Sequence, residues 1–71
     1  MLYVEYDEPV HVDDKYICSQ TVRILAEDAI RLRRAISLQV KETDIYASDA
    51  DALDDFMIIN WARLVEVPDA A

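Results

Sequence analysis

Apolar and polar positions alternate from the first residues of the chain. Leu2, Val4 and Tyr6 fall on one side of an extended backbone, with Tyr3, Glu5 and Asp7 on the other. This is the period-two pattern of a half-buried strand, in residues that favour strands. Asp7-Glu8-Pro9 predicts a turn or bulge, because Pro9 has no N–H to give to a ladder. Val10-His11-Val12 resumes the alternation and Asp13-Asp14-Lys15 predicts another turn. A hairpin or meander over residues 2–17 is therefore expected.

The period then changes. Val22, Leu25, Ala26, Ala29, Leu32 and Ile36 recur at intervals of three and four. They form one stripe of an amphipathic helix near residues 20–36, with Ser19 or Thr21 as its N-cap. Arg23, Glu27 and Arg31 follow at four-residue spacing on the solvent side, and Arg31, Arg33 and Arg34 suit the negative end of the helix dipole. Residues 36–47 fit two patterns. Leu38, Val40 and Ile45 alternate with polar neighbours, which favours a short strand near 40–46, while the helix can also run on to Lys41.

Ser48 opens a second helix, expected over residues 49–64, with Asp49 and Asp51 in its first turn. Leu53, Phe56/Met57, Asn60/Trp61 and Leu64 make its stripe, and Ile58, Ile59 and Val65 widen the apolar surface well beyond it. A helix apolar nearly all round needs cover on more than one side, which predicts a homodimer interface including Ile58, Trp61 and Val65. The fold class expected is α+β: an N-terminal hairpin and two helices in one domain over residues 1–71, with a short flexible tail from residue 67.

Size sharpens the need for cover. A chain of 71 residues buries only about 60% of the surface it exposes when unfolded. Cys18 is the single cysteine, so no disulfide helps, and one cysteine with one histidine cannot complete a structural zinc site. Oligomerisation or burial against a partner remains. No apolar run approaches a membrane span and the N-terminus shows no export signal. With one unpaired thiol, a cytoplasmic home is expected.

Charge adds the main functional clue. The net charge is −8, and it is sorted. Residues 1–14 hold Glu5, Asp7, Glu8, Asp13 and Asp14 with no base; residues 42–55 hold Glu42, Asp44, Asp49, Asp51, Asp54 and Asp55 with no base. Six of the seven bases lie between, at Lys15, Arg23, Arg31, Arg33, Arg34 and Lys41. Such a balance argues against direct nucleic-acid binding, which needs clustered cations, and favours a protein partner with a basic surface. Acidity that serves solubility alone explains the same number.

Candidate chemistry is sparse. Glycine is absent, which removes phosphate-cradling loops, dinucleotide fingerprints and nucleophile elbows. His11 with Asp13 and Asp14 reads more simply as a surface histidine among solvating acids than as a metal site. Cys18 and His11 have no oxyanion hole to serve, and Asp54 and Asp55, as helix neighbours, point apart. No cofactor, metal site or enzymatic activity is expected. Tyr3 and Tyr46 are the expected aromatic anchors, since tyrosine dominates binding hot spots. Same-face positions on a strand recur every ~6.8 Å, close to the phosphate repeat of an extended nucleic-acid strand, so an acidic strand can imitate nucleic acid. An edge strand blunted by charge explains the same pattern.

In size and acidity the chain resembles the small host-targeting inhibitors of bacteriophages, anti-CRISPR proteins among them, and also small acidic antitoxins. The resemblance covers composition alone and carries no residue assignments. It implies an inhibitor that occludes a basic, often nucleic-acid-binding, site on a protein target in the cytoplasm (the host's, if phage-encoded). The acidic surface expected to dock comprises Glu5, Asp7, Glu8, Asp13, Asp14, Asp44, Asp49, Asp51, Asp54 and Asp55. A homodimeric assembly protein and an antitoxin are the alternatives.

Overall fold

The computed structural model describes residues 1–68; the end of the expected tail, residues 69–71, lies outside the described part. Two long strands, β1 (Leu2–Val12) and β2 (Lys15–Leu25), form an antiparallel hairpin; helices α1 (Ala26–Lys41) and α2 (Asp49–Asn60) follow, and β3 (Arg63–Glu66) returns to the sheet. The strand order is β2-β1-β3, all antiparallel. The α+β architecture with an N-terminal hairpin is as the alternation predicts.

The hairpin closes through Asp13 and Asp14, both at positive φ (52° and 64°), between the paired Val12 and Lys15. Positive φ at both loop positions marks the two-residue turn whose twist matches the strands, and aspartate tolerates it better than most residues. Asp7-Glu8-Pro9 makes no turn. These residues stay in β1 opposite Ser19, Gln20 and Thr21, and the irregularity falls between Val10 and His11, where Ile17 of β2 is left without an opposite residue.

The first helix starts later than the stripe suggests. Val22 and Leu25 fit either period, and pairing settles the matter: Val22 and Ile24 face Tyr6 and Val4 across the ladder. Ser19 and Thr21 are thus strand residues, and α1 begins at Ala26 with no side-chain cap, supported by Glu27 and Asp28 in its first turn. It runs on to Lys41 and ends at Glu42 in the left-handed conformation, whose N–H reaches Leu38 O. No strand forms at 40–46. Buried Ser37 explains why: its hydroxyl donates to Thr43 O and accepts from Ile45 N, which holds the loop against the helix.

Ser48 caps α2 as expected, its Oγ accepting from Asp51 N at 3.2 Å. The helix stops at Asn60, short of residue 64. Trp61 turns left-handed (φ 52°); its N–H bonds Ile58 O, and Ala62 N–H bonds Met57 O at 2.9 Å. This pair of bonds is a Schellman stop. It releases Arg63–Glu66 to pair with Leu2–Glu5. Val67 N–H continues that edge by bonding Met1 O.

Val4, Ala29 and Phe56 make the buried centre, with Tyr6, Ile24, Leu53, Met57 and Ala62 packed around them. Tyr6 meets Phe56 edge to face at 5.6 Å. The centre is small because half of the hairpin has nothing on either face: all residues from Lys15 to Thr21 are exposed, as are Asp7–Pro9, His11 and Val12. The radius of gyration is 14.1 Å, against about 11 Å for a compact domain of this length. The accessible surface of 5320 Å² exceeds by roughly 800 Å² what a compact monomer of this mass exposes.

Candidate functional site

Strand parity sorts the sheet into two faces. Val4 and Tyr6 point to the helices; Tyr3, Glu5 and Asp7 point away. On the open face Glu5 sits between two arginines. Arg23 of β2 donates to it through Nε (3.0 Å) and Nη2 (2.7 Å), and Arg63 of β3 bonds its other oxygen. The Glu5 side chain is only 13% exposed, and these cations, Arg23 first, hold its carboxyl below the usual range. Asp7 accepts from Thr21 Oγ1, and Tyr3 lies under the Arg23 guanidinium. The row expected to imitate a phosphate backbone is therefore interrupted by cations at its centre. Arg63 had not stood out in the sequence. Nothing local marks it, since its role follows from β3 pairing with β1.

A second network ties α1 to α2. Arg33 donates to the Tyr46 hydroxyl from Nε and Nη2 and pairs with Asp55, to which the Tyr46 hydroxyl also donates. Arg34 spans Asp44 and Asp49. The Asp44 carboxyl lies below its usual range, first because Tyr46 N–H donates to it and then through Arg34. Arg31 pairs with Asp28. Tyr46 is thus fastened within the chain, and Arg31, Arg33 and Arg34, which fall in the middle of α1 and not at the negative end of its dipole because the helix runs on to Lys41, are neutralised by these pairs.

All five arginines are spent in these contacts. Of the acids expected to form a partner surface, Glu5, Asp44, Asp49 and Asp55 are engaged with them. Asp7, Glu8, Asp13, Asp14, Asp51 and Asp54 have no cation at ion-pair distance among the described residues. Four of them lie on the projecting hairpin. Asp51 and Asp54 lie on α2, and the spacing 51, 54, 58 puts them on one outward stripe with Ile58, past whose end Trp61 stands in the left-handed stop.

That stripe is the most unusual surface of the molecule. Ile58 is 73% exposed and Trp61 91% exposed. They border an open groove of about 370 Å³, lined also by Met57 and Ala62. Tryptophan at positive φ is an outlier whose strain asks for a reason. The end of α2 has no basic residue in its last turn, so the negative end of its dipole beside Trp61 has no cation within the helix to offset it. Val65, expected beside Ile58 and Trp61, instead pairs with Tyr3 on the helix-free face of the sheet.

His11 stacks edge-on against Tyr16 at 5.9 Å, and Cys18 is a free, exposed thiol in β2. Among the described residues no group of three His, Cys, Asp or Glu side chains is placed to hold a metal ion, and no helix is long and apolar enough to cross a membrane. Comparison with models of protein families, with curated proteins and with solved structures finds no match to this chain.

Proposed function

We propose that this protein is a small acidic, non-enzymatic binding protein that inhibits a target by covering a basic, nucleic-acid-binding surface. One observation carries the reading. Every arginine is ion-paired within the chain, so acids outnumber the two remaining bases, Lys15 and Lys41, on the exposed surface, and a nearly naked tryptophan stands just past α2. Exposed charges at such a site set the association rate and its salt dependence, and an aromatic anchor sets the lifetime. The anchor is Trp61 with Ile58, in place of Tyr46, which is tied to Arg33 and Asp55. The reading places the protein in the cytoplasm, where an exposed thiol such as Cys18 stays reduced.

The test begins with capture of the target from host extract at low salt, followed by kinetics on the purified pair. Asp51→Lys with Asp54→Lys should slow association, and Trp61→Ala should speed dissociation. Nucleic acid should compete with the protein for its target. Binding unchanged between about 50 and 500 mM salt, where exposed pairs become screened, would sink the reading.

A homodimeric assembly protein is the second reading, favoured by the excess of accessible surface. An antitoxin that binds nucleic acid needs a free basic segment, and the cluster Arg31, Arg33 and Arg34 is paired within the chain.

A further inference from the structure

Three strand edges in this sheet lack a neighbour, and two of them are defended. β3 is four residues long. The free part of β1, beyond its pairing with β3, carries Asp7, Glu8 and Pro9. Short strands, charge and proline are the devices that keep a sheet edge from pairing with another chain. The outer edge of β2 has none of them from Cys18 to Leu25, the stretch past the Ile17 irregularity. It contains no proline and no acid, and its one charge, Arg23, is occupied by Glu5.

We propose that a second copy of this chain pairs with β2, edge to edge and antiparallel, to make a continuous six-stranded sheet in the order β3-β1-β2-β2-β1-β3. The occupant follows from area, charge and shape together. The surface surplus of roughly 800 Å² per chain equals what one partner contributes to an interface of standard size. Two chains of net charge −8 repel, and residues 15–26, which include all of β2, hold no acid, so β2 is a strand edge that two copies approach at low electrostatic cost. With the twofold axis perpendicular to the sheet, both pairs of helices lie on one face. α1 rests on β1 and β2, while α2 leans on β1. α1 turns Arg33, Arg34 and Ser37 towards α2 and the loop before it. Leu32 and Ile36, four residues apart on the other flank, are both exposed. Across the axis that stripe meets its own copy. The small core of each chain becomes half of a shared one.

This inference stands apart from the target reading, and salt separates the two. Self-pairing of acidic chains tightens as salt screens their repulsion, whereas docking on a basic target weakens. Light scattering with reductant present should give twice the chain mass of 8.2 kDa at micromolar concentration, with the dimer fraction rising with salt. Leu32→Glu with Ile36→Glu should give one chain mass and an unchanged far-ultraviolet circular dichroism spectrum, because both side chains are exposed in the single chain. Amide exchange should show protection across Cys18–Leu25 that disappears on dilution. A single-chain mass at high micromolar concentration in high salt would overturn the proposal. A dimer that survives the α1 changes with β2 amides unprotected, or one lost on Trp61→Ala, would overturn it equally by placing the interface elsewhere.

Discussion

Replacing Trp61 by glycine should stabilise this protein while weakening the proposed target binding. Trp61 is 91% exposed, so truncation forfeits almost none of the roughly 3 to 5 kcal/mol that removing a buried tryptophan costs. Its φ of 52° is instead a burden. A residue with a Cβ in the left-handed region is disfavoured by ~1 to 2 kcal/mol, of which glycine gives back some by its greater freedom in the unfolded chain. The Schellman bonds from Trp61 N–H and Ala62 N–H are backbone bonds and survive the change. The net expectation is a gain of about 0.5 to 1 kcal/mol, or ~3 to 6 °C in Tm for a domain of this size. Thermal unfolding followed by far-ultraviolet circular dichroism measures it, since Trp61 is the single tryptophan and fluorescence is lost with it. Target binding should weaken in the same variant. A fall in Tm of more than about 5 °C would refute the reasoning, because it would mean that the ring is packed and the strain has a structural return.

Other outcomes follow from the same structure. Phe56→Ala should cost about 3 to 5 kcal/mol. Phe56 is 2% exposed in a buried centre of three residues, so the loss takes most of the stability of a chain this short and urea titration should show it largely unfolded. Asp14→Gly should stabilise the hairpin by about 0.5 kcal/mol, since Asp14 sits at φ 64° where glycine meets no steric cost; a lower Tm would contradict the turn assignment. Glu5 and Asp44 both have lowered folded values. Their contribution to stability is complete above the unfolded carboxylate range of roughly pH 4 and disappears as pH falls through the folded values. Stability should hold from neutrality to about pH 5 and then decline, and Glu5→Gln should flatten part of that acid limb.

Much of this molecule is written locally. The alternation from Leu2 to Tyr6 places Val4 and Tyr6 on one face wherever the strand docks, because successive side chains in a strand must point opposite ways. Ser48 caps a helix through a bond three residues long in sequence. The want of internal cover was legible too, since an apolar helix and a 71-residue chain cannot satisfy each other.

What escaped the sequence depended on partners far along the chain. Residues 19–25 suit a helix as well as a strand, and only the β1 ladder chooses. Leu64 and Val65 extend the α2 stripe by spacing, yet the left-handed stop at Trp61 turns them into β3, and no glycine announces that stop. Charge sorting showed a surplus of acids but could not say which ones remain free. That was decided when β3 brought Arg63 to Glu5 and the α1–α2 packing brought Arg33 and Arg34 to Asp55, Asp44 and Asp49. A sequence fixes how many charges a chain carries and how they are spaced along it. Which of them face solvent depends on distances that exist only once the elements have packed.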